Sequence, residues 1–263
     1  MRVATWCVGG IKARLKYLCH WLASRKPDVV ALQKPLAATD KFPADALRQA
    51  GYESVFYSRD GESNNGWGVA VLSRMNGPKP EVMQRGLPGQ RDRGARLLTV
   101  RTGDLEFSSV YAPYGNPKKL GFDGALKRKI EWLKLLHKHL GRRSTRPERC
   151  VLAGDFNVVS DGGPVPGILG LTKEEREELD RILGLGFRDL YRLRHSRGRD
   201  GYNYGFNIHN PVSARLHRIL GSCDVAHRLR EACVDLEYRK EIPELPGCKW
   251  AQGAPVIVDL SCE

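Results

Sequence analysis

Asp155 and Asn157 stand two residues apart in Gly154-Asp155-Phe156-Asn157, directly behind the apolar run Cys150–Ala153. Side chains two apart on a strand share a face, so a carboxylate and a carboxamide at this spacing point the same way. Such a pair can hold a hydroxide, a metal ion or a phosphate oxygen, although a plain strand followed by an Asx turn has the same spacing. Tyr111 closes a second apolar run that leads into Ala112-Pro113-Tyr114-Gly115-Asn116. The seven histidines offer less. His137 and His139 are two apart on a helical stripe and do not share a face. His20, His195 and His227 have no acidic or cysteine partner at ligand spacing. A hydrogen-bonded structural role is the expectation for all seven. The seven cysteines (Cys7, Cys19, Cys150, Cys223, Cys233, Cys248 and Cys262) form no CxxC pair. That argues against a disulfide framework and a structural zinc site, and for a reducing cytoplasm.

Strand-like runs must position these groups: Arg2–Cys7, Val29–Gln33, Gly68–Ser73, Leu97–Val100, Leu105–Tyr111, Cys150–Phe156, Arg215–Leu220, Ala232–Leu236 and Pro255–Leu260. Their Val and Leu content and the turn residues between them fit strands. Helical periodicity runs through Leu126, Ile130, Leu133, Leu136 and Leu140, and again through Leu15, Leu18 and Leu22. Thr172 with Glu175 three residues later announces a capped helix ahead of Leu179, Ile182 and Leu183. The stretches 60–66, 115–124, 141–148 and 161–170 read as loops. Many strands with few helices imply two packed sheets flanked by helices. No biased linker divides the chain, so residues 1–263 are expected to form one domain. No apolar run approaches the ~20 residues of a membrane span, and no secretory signal core opens the chain.

The chain carries 43 Lys and Arg against 30 Asp and Glu, a formal charge of +13 over 263 residues. A balance this basic favours polyanionic partners, nucleic acid foremost. Arg85, Arg91, Arg93 and Arg96 surround Gly86, Gly89 and Gly94 in a loop-like stretch, where Arg91 and Arg93 are expected to contact phosphates. Asn116, Lys118 and Lys119 extend that surface. Lys127 to Lys138 read as a solubilising helix face. Tyr204 and Phe206, in Tyr202-Asn203-Tyr204-Gly205-Phe206, can stack on bases or fill a core.

Six separated blocks carry a more specific signal. They are Ala4–Arg14, Val30-Ala31-Leu32-Gln33-Lys34, Gly68–Ser73, the pair Val110–Asn116 and Asp155-Phe156-Asn157, and the closing Gly253-Ala254-Pro255-Val256. In this order and at this spacing the chain resembles exonuclease III and the abasic-site endonucleases of the endonuclease/exonuclease/phosphatase superfamily. The resemblance implies an α/β fold, a four-layer αββα sandwich of two mixed sheets packed face to face with flanking helices. It also implies Mg²⁺-dependent phosphodiester hydrolysis at a DNA-facing rim of loops. In that chemistry an Asp activates water, an Asn and a Tyr position the phosphate, acidic residues hold the metal, and a His paired with an Asp binds the phosphate.

Tyr111, Asp155 and Asn157 keep the family's residues. Cys7 stands where the family has the Asn of its opening Trp-Asn or Phe-Asn, and Lys34 replaces the metal-binding Glu of Leu-Gln-Glu. His217 replaces the Asp of Arg-Ile-Asp. Gln252 and Gly253 replace the Asp-His of the closing Ser-Asp-His. His209 and His217 fall in regions matching the family's active-site loops. Mg²⁺ wants carboxylate oxygens and water, and Lys34 puts an ammonium there instead. The expectation is a cytoplasmic monomer that binds DNA or RNA without Mg²⁺-dependent cleavage and needs no metal or cofactor. Two other readings stay open. One is an active abasic-site endonuclease, 3′-exonuclease or phosphodiesterase, rebuilt around Asp155, Asn157, Tyr111, His209 and His217, with Lys34 stabilising charge. The other is a scaffold whose old DNA face binds an acidic protein.

Overall fold

The structure, a computed structural model, describes residues 1–59, 68–74, 79–90, 96–114, 117–142, 149–159, 172–195, 201–205 and 214–261, with backbone alone at 117–120. Twelve strands and six α-helices run through the described residues: β1 (Arg2–Cys7), α1 (Leu15–Arg25), β2 (Val29–Gln33), α2 (Ala44–Gln49), β3 (Ser54–Arg59), β4 (Gly68–Ser73), β5 (Glu81–Arg85), β6 (Leu97–Thr102), β7 (Leu105–Tyr111), α3 (Pro117–Gly141), β8 (Arg149–Asp155), α4 (Lys173–Gly184), β9 (Arg188–Asp189), α5 (Leu190–Arg194), β10 (His217–Gly221), α6 (Cys223–His227), β11 (Leu229–Val234) and β12 (Val256–Leu260). They form two six-stranded sheets with strand orders β11-β12-β1-β2-β4-β3 and β5-β6-β7-β8-β10-β9. Each sheet is mixed. The β1–β2 and β7–β8 pairs are parallel and the other pairs antiparallel.

The central strands are buried on both faces, which is why they read as unbroken apolar runs. Alternation then sorts their side chains between layers. Val3, Val29, Ala31, Phe107, Val151, Ala153 and Ile219 point between the sheets. Ala4, Trp6, Val30 and Leu32 face α1, where Trp6 lies 5.2 Å from Trp21. Val110, Leu152 and Leu220 face α3 and α4 on the other side. The result is helix, sheet, sheet, helix, the expected four layers. Thr172 and Glu175 form the reciprocal capping box that opens α4.

Three strands escaped the sequence reading: β3, β5 and β9. Each ends a sheet. An edge strand is covered less completely, so it carries no continuous apolar run; β5 is buried at none of its five positions. Helix α3 begins at Pro117, inside a stretch expected to be loop, and its left-handed Gly121 (φ 68°) breaks it before the Leu126–Leu140 stripe. The six cysteines among the described residues are free thiols. No helix among the described residues is long and apolar enough to cross a membrane.

Candidate active site

The register of the second sheet sets three of the expected residues in one row. Tyr111 pairs with Asp155 across the parallel β7–β8 ladder, and His217 pairs with Asp155 across the antiparallel β8–β10 ladder. Register partners present their side chains on one face, here the face between the sheets. Cys7 and Gln33, register partners at the ends of β1 and β2, reach the same place from the facing sheet. Gln33 ties the sheets together there, accepting from Thr5 Oγ1 at 3.1 Å and donating to Ser109 Oγ at 3.2 Å. Cys7, Tyr111 and Asp155 line a cavity of about 270 Å³ together with Gly9, Arg14, Lys34, Tyr114, Asn157, Tyr204, Gln252 and Gly253.

The Asp-x-Asn turn is held from beneath. Asp155 Oδ1 accepts from the Asn157 amide at 3.0 Å, and Asn157 Nδ2 donates to the Ala112 carbonyl at 2.8 Å. Asn157 adopts a left-handed backbone, φ 52°, which Asn tolerates better than most residues. Its own carbonyl accepts from Lys129 Nζ at 2.8 Å, and that ammonium pairs with Glu175 at 2.6 Å. Lys129 and Glu175 are both wholly buried. Glu175 thus caps α4 with one oxygen and neutralises Lys129 with the other. The expectation of a solubilising face at Lys127 to Lys138 fails at Lys129. Gly154 also has a fixed reason: a Cβ there would lie 1.9 Å from the Val110 carbonyl oxygen.

Lys34 follows β2 with φ 55°, a conformation that costs a non-glycine residue about 1–2 kcal/mol. Two backbone bonds hold it, from the Lys34 amide to Gly68 O at 3.0 Å and from the Gly10 amide to Lys34 O at 2.9 Å. Its ammonium opposes the raised pKa values of both Cys7 and Asp155. Arg14 is tied by Nε to the Trp250 carbonyl at 2.9 Å and by Nη1 to the Gly9 carbonyl at 2.6 Å. It therefore fixes the rim while bringing a second positive charge.

Burial dominates the electrostatics of the cluster. It raises the Asp155 carboxyl above the usual carboxylate range, against the opposing pull of His217, the Asn157 amide, Lys129 and Lys34. It lowers the His217 imidazole, which Asp155 pulls the other way. Burial also raises the Cys7 thiol and the Tyr111 phenol. His217 has no exposed surface, and at most one ring nitrogen is hydrogen-bonded, to the Ala254 backbone. Its Nε2 lies 3.8 Å from Asp155 Oδ2. The expectation of a satisfied histidine is met only in part at His217.

Gly253 explains how that ring fits. A Cβ on Gly253 would lie 2.2 Å from His217 Cε1, so the imidazole fills the space a side chain at 253 would take. The Gly253 carbonyl accepts from Trp6 Nε1 at 2.8 Å. Asn203, fully buried, clamps both segments. Its Oδ1 accepts from the Leu216 and His217 amides at 3.1 Å, its Nδ2 donates to the His217 carbonyl at 2.8 Å, and its carbonyl accepts from the Ala254 amide at 2.8 Å. Tyr204 sits edge-on to His217 at 6.2 Å and donates to Gln252 Oε1 at 3.3 Å.

The strands bring together eight of the expected residues: Cys7, Lys34, Tyr111, Asp155, Asn157, His217, Gln252 and Gly253. Tyr204 joins them at the cavity wall. Arg91, Arg93, Asn116, Phe206 and His209 lie outside the described residues, and Lys118 and Lys119 lie in the first turn of α3. Lys129, Glu175 and Asn203 were missed. The capping-box signature marked Glu175 as a helix start, and nothing marked its second bond. Among the described residues, Asp155 is the only carboxylate that lines the cavity. A single desolvated carboxylate beside an ammonium, a thiol and an imidazole does not suit Mg²⁺, a hard cation that seeks oxygen ligands.

Residues 8–226 match the model of the Endonuclease/Exonuclease/phosphatase family. The chain belongs to that family. Within it, the chain is 25% identical over 249 residues to Recombination repair protein 1 of Drosophila melanogaster, covering 92% of this chain but only 35% of the fly protein. It is 22% identical over 265 residues to Exodeoxyribonuclease III of Haemophilus influenzae, covering 92% of this chain and 94% of that one. A 3′ phosphatase of Neisseria, solved bound to a product DNA hairpin, superposes with a TM-score of 0.83 at 25% identity, covering both chains in full.

Proposed function

We propose that this family member binds nucleic acid at the strand-end cavity through a phosphate and does not cleave it by a Mg²⁺-dependent route. The observation that carries this reading is the charge lining the cavity: one desolvated carboxylate, Asp155, faces two cations, Lys34 and Arg14. A phosphate dianion or diester is attracted by that balance, whereas Mg²⁺, which seeks several oxygen ligands, finds a single carboxylate there. The overall charge of +13 supplies long-range attraction to the same ligand class. The exodeoxyribonuclease among the relatives and the DNA hairpin on the structural neighbour make DNA the first ligand to test. The test is a fluorescence-anisotropy panel of DNA and RNA oligonucleotides in Mg²⁺ and in EDTA, with the same samples run on denaturing gels. Salt-dependent binding that survives EDTA with intact oligonucleotide is expected. Incision that requires Mg²⁺ overturns the proposal.

One observation supports a second reading, an active phosphodiesterase with a rebuilt centre. Gly253 leaves room for the His217 imidazole to lie beside Asp155, so an acid/base pair exists without the family's closing Asp-His. In that reading Asp155 holds the attacking water, Asn157 and Tyr111 orient the phosphate, and Lys34 stabilises developing charge. Cleavage lost in Asp155→Ala and retained in EDTA would select it.

A further inference from the structure

Three ligand-type side chains that no single stretch of sequence brings together meet beside the cavity, two of them, Cys7 and Asp155, lining it. Cys7 Sγ, a carboxylate oxygen of Asp155 and a ring nitrogen of His217 all lie within 4.8 Å of one another, and all three residues are buried. We infer that Cys7, Asp155 and His217 form a binding site for a borderline-soft divalent cation of the zinc class.

The donor types decide the class of ion. One sulfur, one imidazole nitrogen and one carboxylate oxygen make up a ligand set suited to Zn²⁺ or Co²⁺ and poorly suited to Mg²⁺ or Ca²⁺. Geometry fits as well. Metal–ligand bonds of about 2.0–2.3 Å in a tetrahedral site place neighbouring donors about 3.4 Å apart. His217 Nε2 and Asp155 Oδ2 already stand at 3.8 Å. The ring itself gives an independent reason. A fully buried imidazole with a single backbone contact, at Ala254, leaves its other nitrogen desolvated without compensation, and native interiors rarely keep such atoms. A cation in the cluster supplies the missing partner for one nitrogen.

The positions are rigid and share one level. Asp155 and His217 are register partners on β8 and β10, and Cys7 ends β1 in the facing sheet. Binding displaces the thiol proton to solvent. Thiolate and carboxylate then neutralise the dication. Three protein ligands leave a fourth position, which opens on the cavity that Cys7 and Asp155 line. Water or a phosphate oxygen would occupy it, as in open zinc sites. The site goes beyond the proposed nucleic-acid binding, which is assayed in EDTA and stands or falls separately.

Cobalt is the probe. The metal-stripped full chain is titrated with Co²⁺ and followed by absorbance. One equivalent is expected to give tetrahedral visible bands with a near-ultraviolet thiolate-to-cobalt charge-transfer band, bleached by Zn²⁺ and untouched by excess Mg²⁺. Cys7→Ala should abolish the charge-transfer band, and His217→Gln should weaken Co²⁺ binding at least tenfold. Cys233→Ser, at an exposed thiol, should change neither. Anomalous diffraction at the zinc edge from a Zn²⁺-soaked crystal of the unaltered chain gives a readout free of folding effects. A peak bonded to all three residues is expected. No charge-transfer band, a band that survives Cys7→Ala, or no anomalous peak at the cluster overturns the inference.

Discussion

The His217 imidazole and a side chain at residue 253 exclude each other: a Cβ on Gly253 would sit 2.2 Å from His217 Cε1. The family resemblance puts an imidazole at 253 and a carboxylate at 217. Here the imidazole comes from 217, and 253 is bare. The two substitutions are sterically coupled, and Asn203 holds the backbone of both segments in place.

Coupling of that kind is measurable. Gly253→Ala should cost about 1–3 kcal/mol by overpacking, read from urea unfolding. In Gly253→Ala with His217→Ala the two losses should be strongly non-additive, because the clash disappears with the ring. Additive losses would show that the ring and the glycine do not share space in solution.

The buried pair Lys129–Glu175 should be the most sensitive support of the site. Lys129→Ala leaves Glu175 as an unpaired buried charge, for which about 3–5 kcal/mol is expected, and it also removes the donor to the Asn157 carbonyl. Exposed Lys134 on the same helix is the control, with an expected loss under 0.5 kcal/mol on Lys134→Ala. Lys129→Met with Glu175→Gln should recover most of the stability while keeping the helix cap. Equal effects of Lys129→Ala and Lys134→Ala in chemical denaturation would remove the pair from this role.

Stability should depend on pH in two opposed ways. Burial raises the Asp155 pKa above its ordinary 3.8, so the fold holds that proton more tightly than the unfolded chain. Its contribution is full below 3.8 and is lost as pH rises through the folded value. Asp155→Asn should therefore be more stable than the parent at pH 7. Burial lowers the His217 pKa below 6.5, so the unfolded chain takes that proton first. Stability should fall as pH drops from 6.5 toward the folded value, and His217→Gln should flatten that limb. Unfolding midpoints of the three proteins measured across this range check both signs; an Asp155→Asn variant less stable at pH 7 contradicts the first.

Central strands were legible because burial on both faces writes a continuous apolar run into the sequence. Edge strands β3, β5 and β9 lack that signature for the same physical reason. Asp155 and Asn157 were legible from their spacing alone. Cys7, Lys34, His217, Gln252 and Gly253 stood out only against the family pattern. Their mutual contacts depend on register across β8 and β10 and on the facing of two sheets, relations between residues far apart in the chain. Lys129 lay off the apolar stripe like its neighbours, and the helix Lys173–Gly184 that buries it with Glu175 packs there through tertiary structure. Local periodicity carries no trace of that partner.

Substitution at Lys34, with affinity read for a labelled oligonucleotide in EDTA by fluorescence anisotropy, tests phosphate binding at the cavity. Lys34→Glu removes a charged donor and sets a second carboxylate beside Asp155 in a partly desolvated pocket. A lost phosphate contact corresponds to about 1–3 kcal/mol, a five- to hundredfold drop in affinity, and the salt slope should flatten by about one contact. Lys134→Glu changes the same net charge on the exposed face of α3 and should cost far less. A Lys34→Glu protein that binds as tightly as the parent, or loses no more than Lys134→Glu, would contradict binding at this cavity.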